Sequence, residues 1–390
     1  MFRRSLLTVC AILLVIGLLG CNTGAQVEEV AVEEPTPAQE QAAQPQQEAA
    51  PVTKVEEPKS EQPEVVEVQA PTASRLDTVR SRGKVICGGN ANLAGFGFLA
   101  PDGSFAGFDI DFCRAVAVAI FGTVDDSNLE IRPLNAADRP IALQTNEIDV
   151  LIRNTTWTLS RDTEWAADFG PTTFYDGQGM MVRQDSGIQT LQDLEGGSVC
   201  VQTGTTTELN LADVMAALGV NYEPKVFPDA PTTLAAYNEG ACDGFTTDKS
   251  GLVSQKQELA NPDEHVILDV TMSKEPLGPA YSHGDNQWGD IINWTVYCTI
   301  SAEELGVTSQ NIDDMLSSDN PEVKRMLGVE GALGEGLGLS NDFCVNVIRQ
   351  IGNYGEIYNR HLGPDTAYNI PRGLNNLWTN GGLLYSPPFR

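Results

Sequence analysis

From about residue 84 the chain alternates short apolar runs with longer stretches whose apolar residues recur every three or four positions, the pattern of strands alternating with amphipathic helices. Lys84 to Cys87 reads as a first strand. Phe105-Ala-Gly-Phe-Asp109-Ile-Asp111 then opens a helix through Phe121, with its aspartates near the positive helix start. A strand at Leu129 to Pro133, a helix over Ala137 to Thr145 and a buried strand at Ile148 to Ile152 complete the first unit. The last of these delivers residues 154–161 at its carboxyl end, where ligands of open α/β sheets sit. A second unit follows, with strands at Ser198 to Gln202, Lys225 to Phe227, Gly244 to Thr246 and His265 to Leu268. Beyond it, helices are predicted near Gln287 to Ile300 and over Asp342 to Tyr358, the latter with Phe343, Val347, Ile351 and Tyr354 on one stripe. The pattern predicts two α/β lobes, 75–181 plus 283–390 and 182–282. Crossings near Gln178 to Val182 and Leu277 to Ser282 would form a two-strand hinge that permits closure.

The amino terminus has a different character. Arg3 and Arg4 precede an apolar run from Leu6 to Leu19, short for a bilayer span, so residues 1–20 read as a secretory signal. The run ends Leu18-Leu19-Gly20-Cys21, which resembles the lipobox of bacterial lipoproteins and implies lipidation of Cys21; an uncleaved anchor is the alternative. Residues 22–74 hold eleven Glu, seven Pro and no aromatic residue, too little apolar surface to offset chain entropy, so 21–74 reads as an acidic tether behind a lipidated cysteine.

The formal charge is −29, of which about −22 falls on residues 75–390, and this argues against a nucleic-acid partner. Six cysteines follow Cys21. Fifteen pairings are possible; chain proximity and the lobe plan favour Cys87 with Cys113, Cys200 with Cys242, and Cys298 with Cys344. Paired Cys-x-x-Cys spacing is absent and His265, His283 and His361 are scattered, so neither metal nor cofactor is expected.

Two charged residues stand out: Arg161, closing Asn154-Thr-Thr-Trp-Thr-Leu-Ser-Arg161, and Asp248, closing Cys242-Asp-Gly-Phe-Thr-Thr-Asp248. A fixed guanidinium and a fixed carboxylate can read a zwitterion such as an α-amino acid, the one taking its carboxylate and the other its ammonium. Separate surface charges are the plainer reading of the same pair. Thr205-Thr-Thr-Glu208 forms a T-x-x-E capping box, either an anion site or simply a helix cap.

The order of these blocks, with Ala142-Leu-Gln-x-x-Glu-Ile-Asp149 between them, resembles the periplasmic amino-acid-binding proteins of ABC importers over Arg75 to Arg390. Val201-Gln-Thr-Gly-Thr-Thr-Thr-Glu-Leu-Asn210 and the ending Gly382-Leu-Leu-Tyr-Ser-Pro-Pro-Phe-Arg390 resemble the general L-amino-acid subgroup. The resemblance implies a type II two-lobed fold, with Arg161, Thr156 and the Thr206 amide on the ligand carboxylate and Asp248 on its ammonium. It adds Asn154 and Thr205 as polar contacts, Gln202 where some relatives place a lysine, and Asn90 where some have an aspartate that reads the side chain. Leu93 and Ala136 stand where certain relatives hold an aromatic clamp, which argues for broad specificity. Trp157 either covers the ligand or packs in the core.

Catalysis fares worse. Gly95-Phe-Gly-Phe-Leu-Ala100 matches a loose dinucleotide pattern, but Pro101-Asp-Gly103 turns the chain where a phosphate-binding helix should begin. Nucleotide-binding, zinc-protease and serine-hydrolase motifs are missing. The expectation is a monomeric, lipid-anchored receptor outside the cytoplasmic membrane or in the periplasm, passing L-amino acids to an ABC permease. A dehydratase on the same fold and a sensory lipoprotein are the alternatives.

Overall fold

A computed structural model describes residues 74–390. The signal segment, Cys21 and all of the tether but Ser74 lie outside the described residues. Ser74 belongs to the fold: its Oγ accepts from Asp77 N at 3.1 Å and caps a helix over Arg75–Arg82 that the apolar pattern did not single out. Among the described residues, no helix is long and apolar enough to cross a membrane.

Two five-stranded sheets carry the two lobes. In the first, the order is Leu129–Pro133, Val85–Gly89, Val150–Leu151, Ala280–Ser282, Ala167–Phe169; in the second it is Glu223–Phe227, Ser198–Gln202, Gly244–Asp248, Gln178–Arg183, His265–Ile267. Three parallel strands start each sheet and the fourth runs antiparallel to the third. In each lobe the carboxyl end of the third strand therefore opens toward the other lobe.

The lobes are joined by an antiparallel ribbon, Phe174–Asp176 paired with Glu275–Leu277. The crossings thus lie a few residues before those predicted. Gln178 to Val182 is already a strand of the second sheet, and Ala280–Ser282 is already back in the first, because both runs are apolar enough to serve as buried strands. The ribbon is fastened to the first lobe. Phe174 packs edge-on against Phe96 at 5.1 Å between centroids, and Tyr354 Oη donates to Thr173 O at 2.7 Å. The Asn375 carboxamide accepts from Tyr175 N at 2.7 Å and donates to Tyr175 O at 3.1 Å, imitating a neighbouring strand.

The larger core lies under the first sheet, where the helices Phe108–Phe121, Asn286–Glu304 and Phe343–Gln350 pack on one another. The single helix predicted over Asp342 to Tyr358 is two. Gly352, at φ +100°, breaks it, and Asn353 restarts a helix over Tyr354–His361 through a capping box with Glu356. All four residues of the predicted stripe are buried nonetheless. Likewise, the predicted Ala137 to Thr145 helix begins as a 3₁₀ turn over Ala136–Asp138 and becomes α-helical over Arg139–Gln144.

The three cysteine pairs favoured by chain proximity are bonded, with Cα separations of 6.0, 5.6 and 5.8 Å. Cys87–Cys113 ties the first strand to its helix, Cys200–Cys242 ties neighbouring strand segments of the second lobe, and Cys298–Cys344 joins two core helices. Each closes a loop of 26 to 46 residues, worth about 2–4 kcal/mol in an unstrained setting.

Candidate functional site

The first lobe builds its half of the cleft from residues 153–161. Asn154 leaves the strand with φ 31°, a left-handed turn that asparagine tolerates, and its N–H donates to buried Asp109 Oδ2 at 2.7 Å. The chain then lies along the hinge ribbon: Thr156 bridges to Leu277, and Trp157 N donates to Pro276 O at 2.8 Å. Thr158 caps the short helix Leu159–Glu164 by accepting from Arg161 N. This turns the Arg161 side chain back into the cleft, where Nη1 donates to Thr156 O at 2.8 Å and the guanidinium lies 4.8 Å from the Trp165 ring centre.

The second lobe answers with the turn after Gln202. Gly204, at φ +72°, sits against Ala137 of the first lobe so closely that a Cβ would come within 3.2 Å of the Ala137 Cα. Thr205 Oγ1 accepts from Glu208 N, opening the helix Thr206–Leu218. The Glu208 carboxylate accepts from Gly204 N rather than from the cap amide, so the predicted reciprocal box is half formed and first-turn amides stay available to a ligand. Asp248 ends the third strand and leads straight into the helix Lys249–Lys256.

These elements enclose one pocket. Asn90, Asn154, Thr156 and Arg161 line it from the first lobe, and Gln202, Thr205, Thr206 and Asp248 from the second. Trp157 does not: its ring is 45% exposed and stacks on Phe169 outside the cleft, so neither the covering nor the core role predicted for it holds. Leu93, at a predicted clamp position, does line the pocket, with the small residues Ala230 and Gly251.

Four buried residues of the cleft and hinge escaped the sequence reading: Arg139, Arg153 and Gln255, which line the pocket, and Glu275. Arg139 is 2% exposed and each of its three nitrogens already donates, to Ala136 O, Thr155 Oγ1 and, across the cleft, Gly204 O at 3.1 Å. Arg153 donates through Nε to Leu134 O and turns its fork to the pocket. It follows directly on the apolar run 148–152, so the strand-end rule that picked out Asn154 could have included it. Glu275 carried no signal, since isolated glutamates near Pro are common in loops. It is fully buried in the hinge and accepts from Thr156 Oγ1 (2.5 Å) of the first lobe, from Thr206 Oγ1 (2.9 Å) and Asn210 Nδ2 (2.8 Å) of the second, and from Ser273 Oγ (2.5 Å).

The electrostatics follow from burial. Desolvation brings Arg161 down to about 10, opposed by Glu275 and Asp248; it brings Arg153 to about 10, opposed first by Asp109, and Arg139 well below the usual arginine range. Asp248 is pushed well up, first by burial, then by Asp176 and Glu275, against the Asn154 carboxamide and Arg161. Burial raises Asp176 to about 6, even though Ser250 and Gly177 donate to it, and raises Asp109 to about 7. The cleft thus holds buried cations and a carboxylate ready to ionise beside a positive group. Chemically, such a cleft can take an anion at its arginines and a cation at Asp248.

Comparison with known proteins fits this geometry. The sequence pattern of the bacterial extracellular solute-binding proteins, family 3, matches residues 85–327. The chain is 50% identical over 327 residues to the general L-amino acid-binding periplasmic protein AapJ of Rhizobium johnstonii, covering 83% of this chain and 95% of that protein. It is 47% identical over 322 residues to the glutamate/glutamine/aspartate/asparagine-binding protein BztA of Rhodobacter capsulatus, covering 82% and 95%. A solved periplasmic binding protein from Brucella ovis with glutathione bound superposes with a TM-score of 0.79 at 47% identity, over 82% of this chain and all of that one.

Proposed function

Since the chain belongs to family 3 of the bacterial extracellular solute-binding proteins, we propose that it captures free L-amino acids outside the cytoplasm and delivers them to an ABC permease. The observation that carries this reading is the convergence of Arg161 and Asp248, from opposite lobes, on one pocket. Arg161 takes the α-carboxylate together with the backbone amides of Thr156 and Thr206, since the Thr156 hydroxyl is committed to Glu275, while Asp248 and Asn154 take the ammonium. Binding rather than catalysis is supported by how far the nearby carboxylates are committed. Glu275 is held by four donors, and Asp176 by Ser250 and Gly177. Anchoring through a lipidated Cys21 and a monomeric state belong to the same reading.

A thermal-unfolding panel of the twenty amino acids tests it. A true ligand at 100 times its Kd stabilises by about 2.7 kcal/mol; unfolding unmoved by every amino acid would overturn the proposal.

Affinity should also depend on pH. Burial holds Asp248 well above the usual carboxylate range, whereas a bound ammonium favours its ionised form, so below that raised value binding expels a proton. Affinity is therefore expected to climb as pH rises from 5 and to level off once Asp248 is ionised in the free protein. Calorimetry in two buffers of different ionisation heat reads the proton directly. A flat profile with no proton release would take Asp248 off the ammonium.

A further inference from the structure

The three buried arginines of the cleft differ in what they have left to give. Arg139 is the most committed, with each of its three nitrogens donating to a neutral oxygen. Arg161 has one terminal nitrogen on Thr156 O and presents the rest to the α-carboxylate. Arg153 is tied only through Nε to Leu134 O; among the described residues, no acceptor meets its two terminal nitrogens. It is 6% exposed and lines the pocket, so a guanidinium fork stands open there in a water-poor setting. Open buried donors of this kind are satisfied by a ligand or by water, and a fork matches a carboxylate. One α-carboxylate engages one fork, which leaves the second without a partner in a ligand whose side chain is neutral.

A second unpaired group lines the same pocket. Gln255 is 4% exposed and its Oε1 has no hydrogen-bond partner. It lies one helical turn beyond Gly251, on the same face of the helix Lys249–Lys256, and Gly251 and Leu93 line the pocket with it. A carboxamide can accept from an amide or donate to a carboxylate.

We propose that Arg153 binds a second carboxylate, carried by the ligand's side chain, so that the preferred ligands are acidic amino acids, with Gln255 allowing their amides. This rests on the amino-acid reading above and narrows it. Arg161 supplies the affinity common to all amino acids, and Arg153 sets the ranking among them.

The test is calorimetric titration of L-glutamate, its neutral γ-methyl ester, L-glutamine and L-leucine into the wild-type protein, Arg153→Gln and Arg153→Lys. Arg153→Gln is expected to weaken glutamate binding by roughly 30-fold and leucine binding by less than about threefold. Arg153→Lys keeps the charge without the fork and should recover part of the loss. Should Arg153→Gln fail to fold, the wild type decides alone: glutamate must bind at least about tenfold more tightly than its ester, the scale of one charge-assisted contact. An equal loss across all four ligands, or wild-type binding of leucine as tight as of glutamate, overturns the proposal while leaving amino-acid capture intact. Binding of none of the four overturns the amino-acid reading itself.

Discussion

Replacing Arg161 by alanine is expected to lower affinity for every amino acid by about 2–5 kcal/mol, whatever the side chain, because a desolvated carboxylate loses its charged partner. The uniformity matters as much as the size. Arg161 sits over Trp165 and is fixed by Thr156 O, away from the variable end of the ligand, so its removal should leave the ranking of amino acids unchanged. Arg161→Lys keeps the charge but loses the planar fork and the stacking on Trp165, and should fall between the two. Calorimetry at fixed pH, with unfolding curves as a control for folding, is the measurement. Unchanged binding in Arg161→Ala would remove the residue from the site.

A comparable loss, this time in stability, is expected from Glu275→Ala. Four donors converge on that carboxylate from both lobes and the ribbon, and Arg161 is the cation nearest in influence. Truncation leaves buried Thr156 and the half-buried Thr206, Ser273 and Asn210 without their shared acceptor, at about 3–5 kcal/mol of destabilisation. Glu275→Gln should cost less. Hydroxyls of Thr156, Thr206 or Ser273 can turn and accept from the new amide, whereas Asn210 Nδ2 can only donate. Denaturant unfolding of the two variants reads the difference, and a Glu275→Ala midpoint equal to wild type would dismiss the hub.

What the amino-acid order made legible was whatever depends on local pattern. Buried strands declared themselves through their apolar runs, and their carboxyl ends led to Asn154 and Asp248. Cysteine pairs close in the chain were also close in space, because each bridges neighbouring elements of one lobe. Contacts made only when the lobes meet left no such trace. Arg139 reads as an ordinary charge at a helix start, and its grip on Gly204 O exists only across the cleft. Glu275 gathers donors from positions 119 residues before it to 2 residues before it. Trp157 misled for the opposite reason: large aromatics are usually buried, but here the backbone is pinned to the ribbon and the ring is directed outward onto Phe169. The helix broken at Gly352 kept its apolar stripe, so periodicity alone could not reveal the break.

The Asn375 side chain gives the connecting ribbon an outer border it would otherwise lack. Tyr175 cannot twist without surrendering both of those bonds, about 1 kcal/mol each. The carboxyl-terminal segment thereby braces the crossing between the lobes from its outer side. A chain cut short before residue 375 would lose that brace together with the buried side chains of Leu377, Leu384 and Phe389.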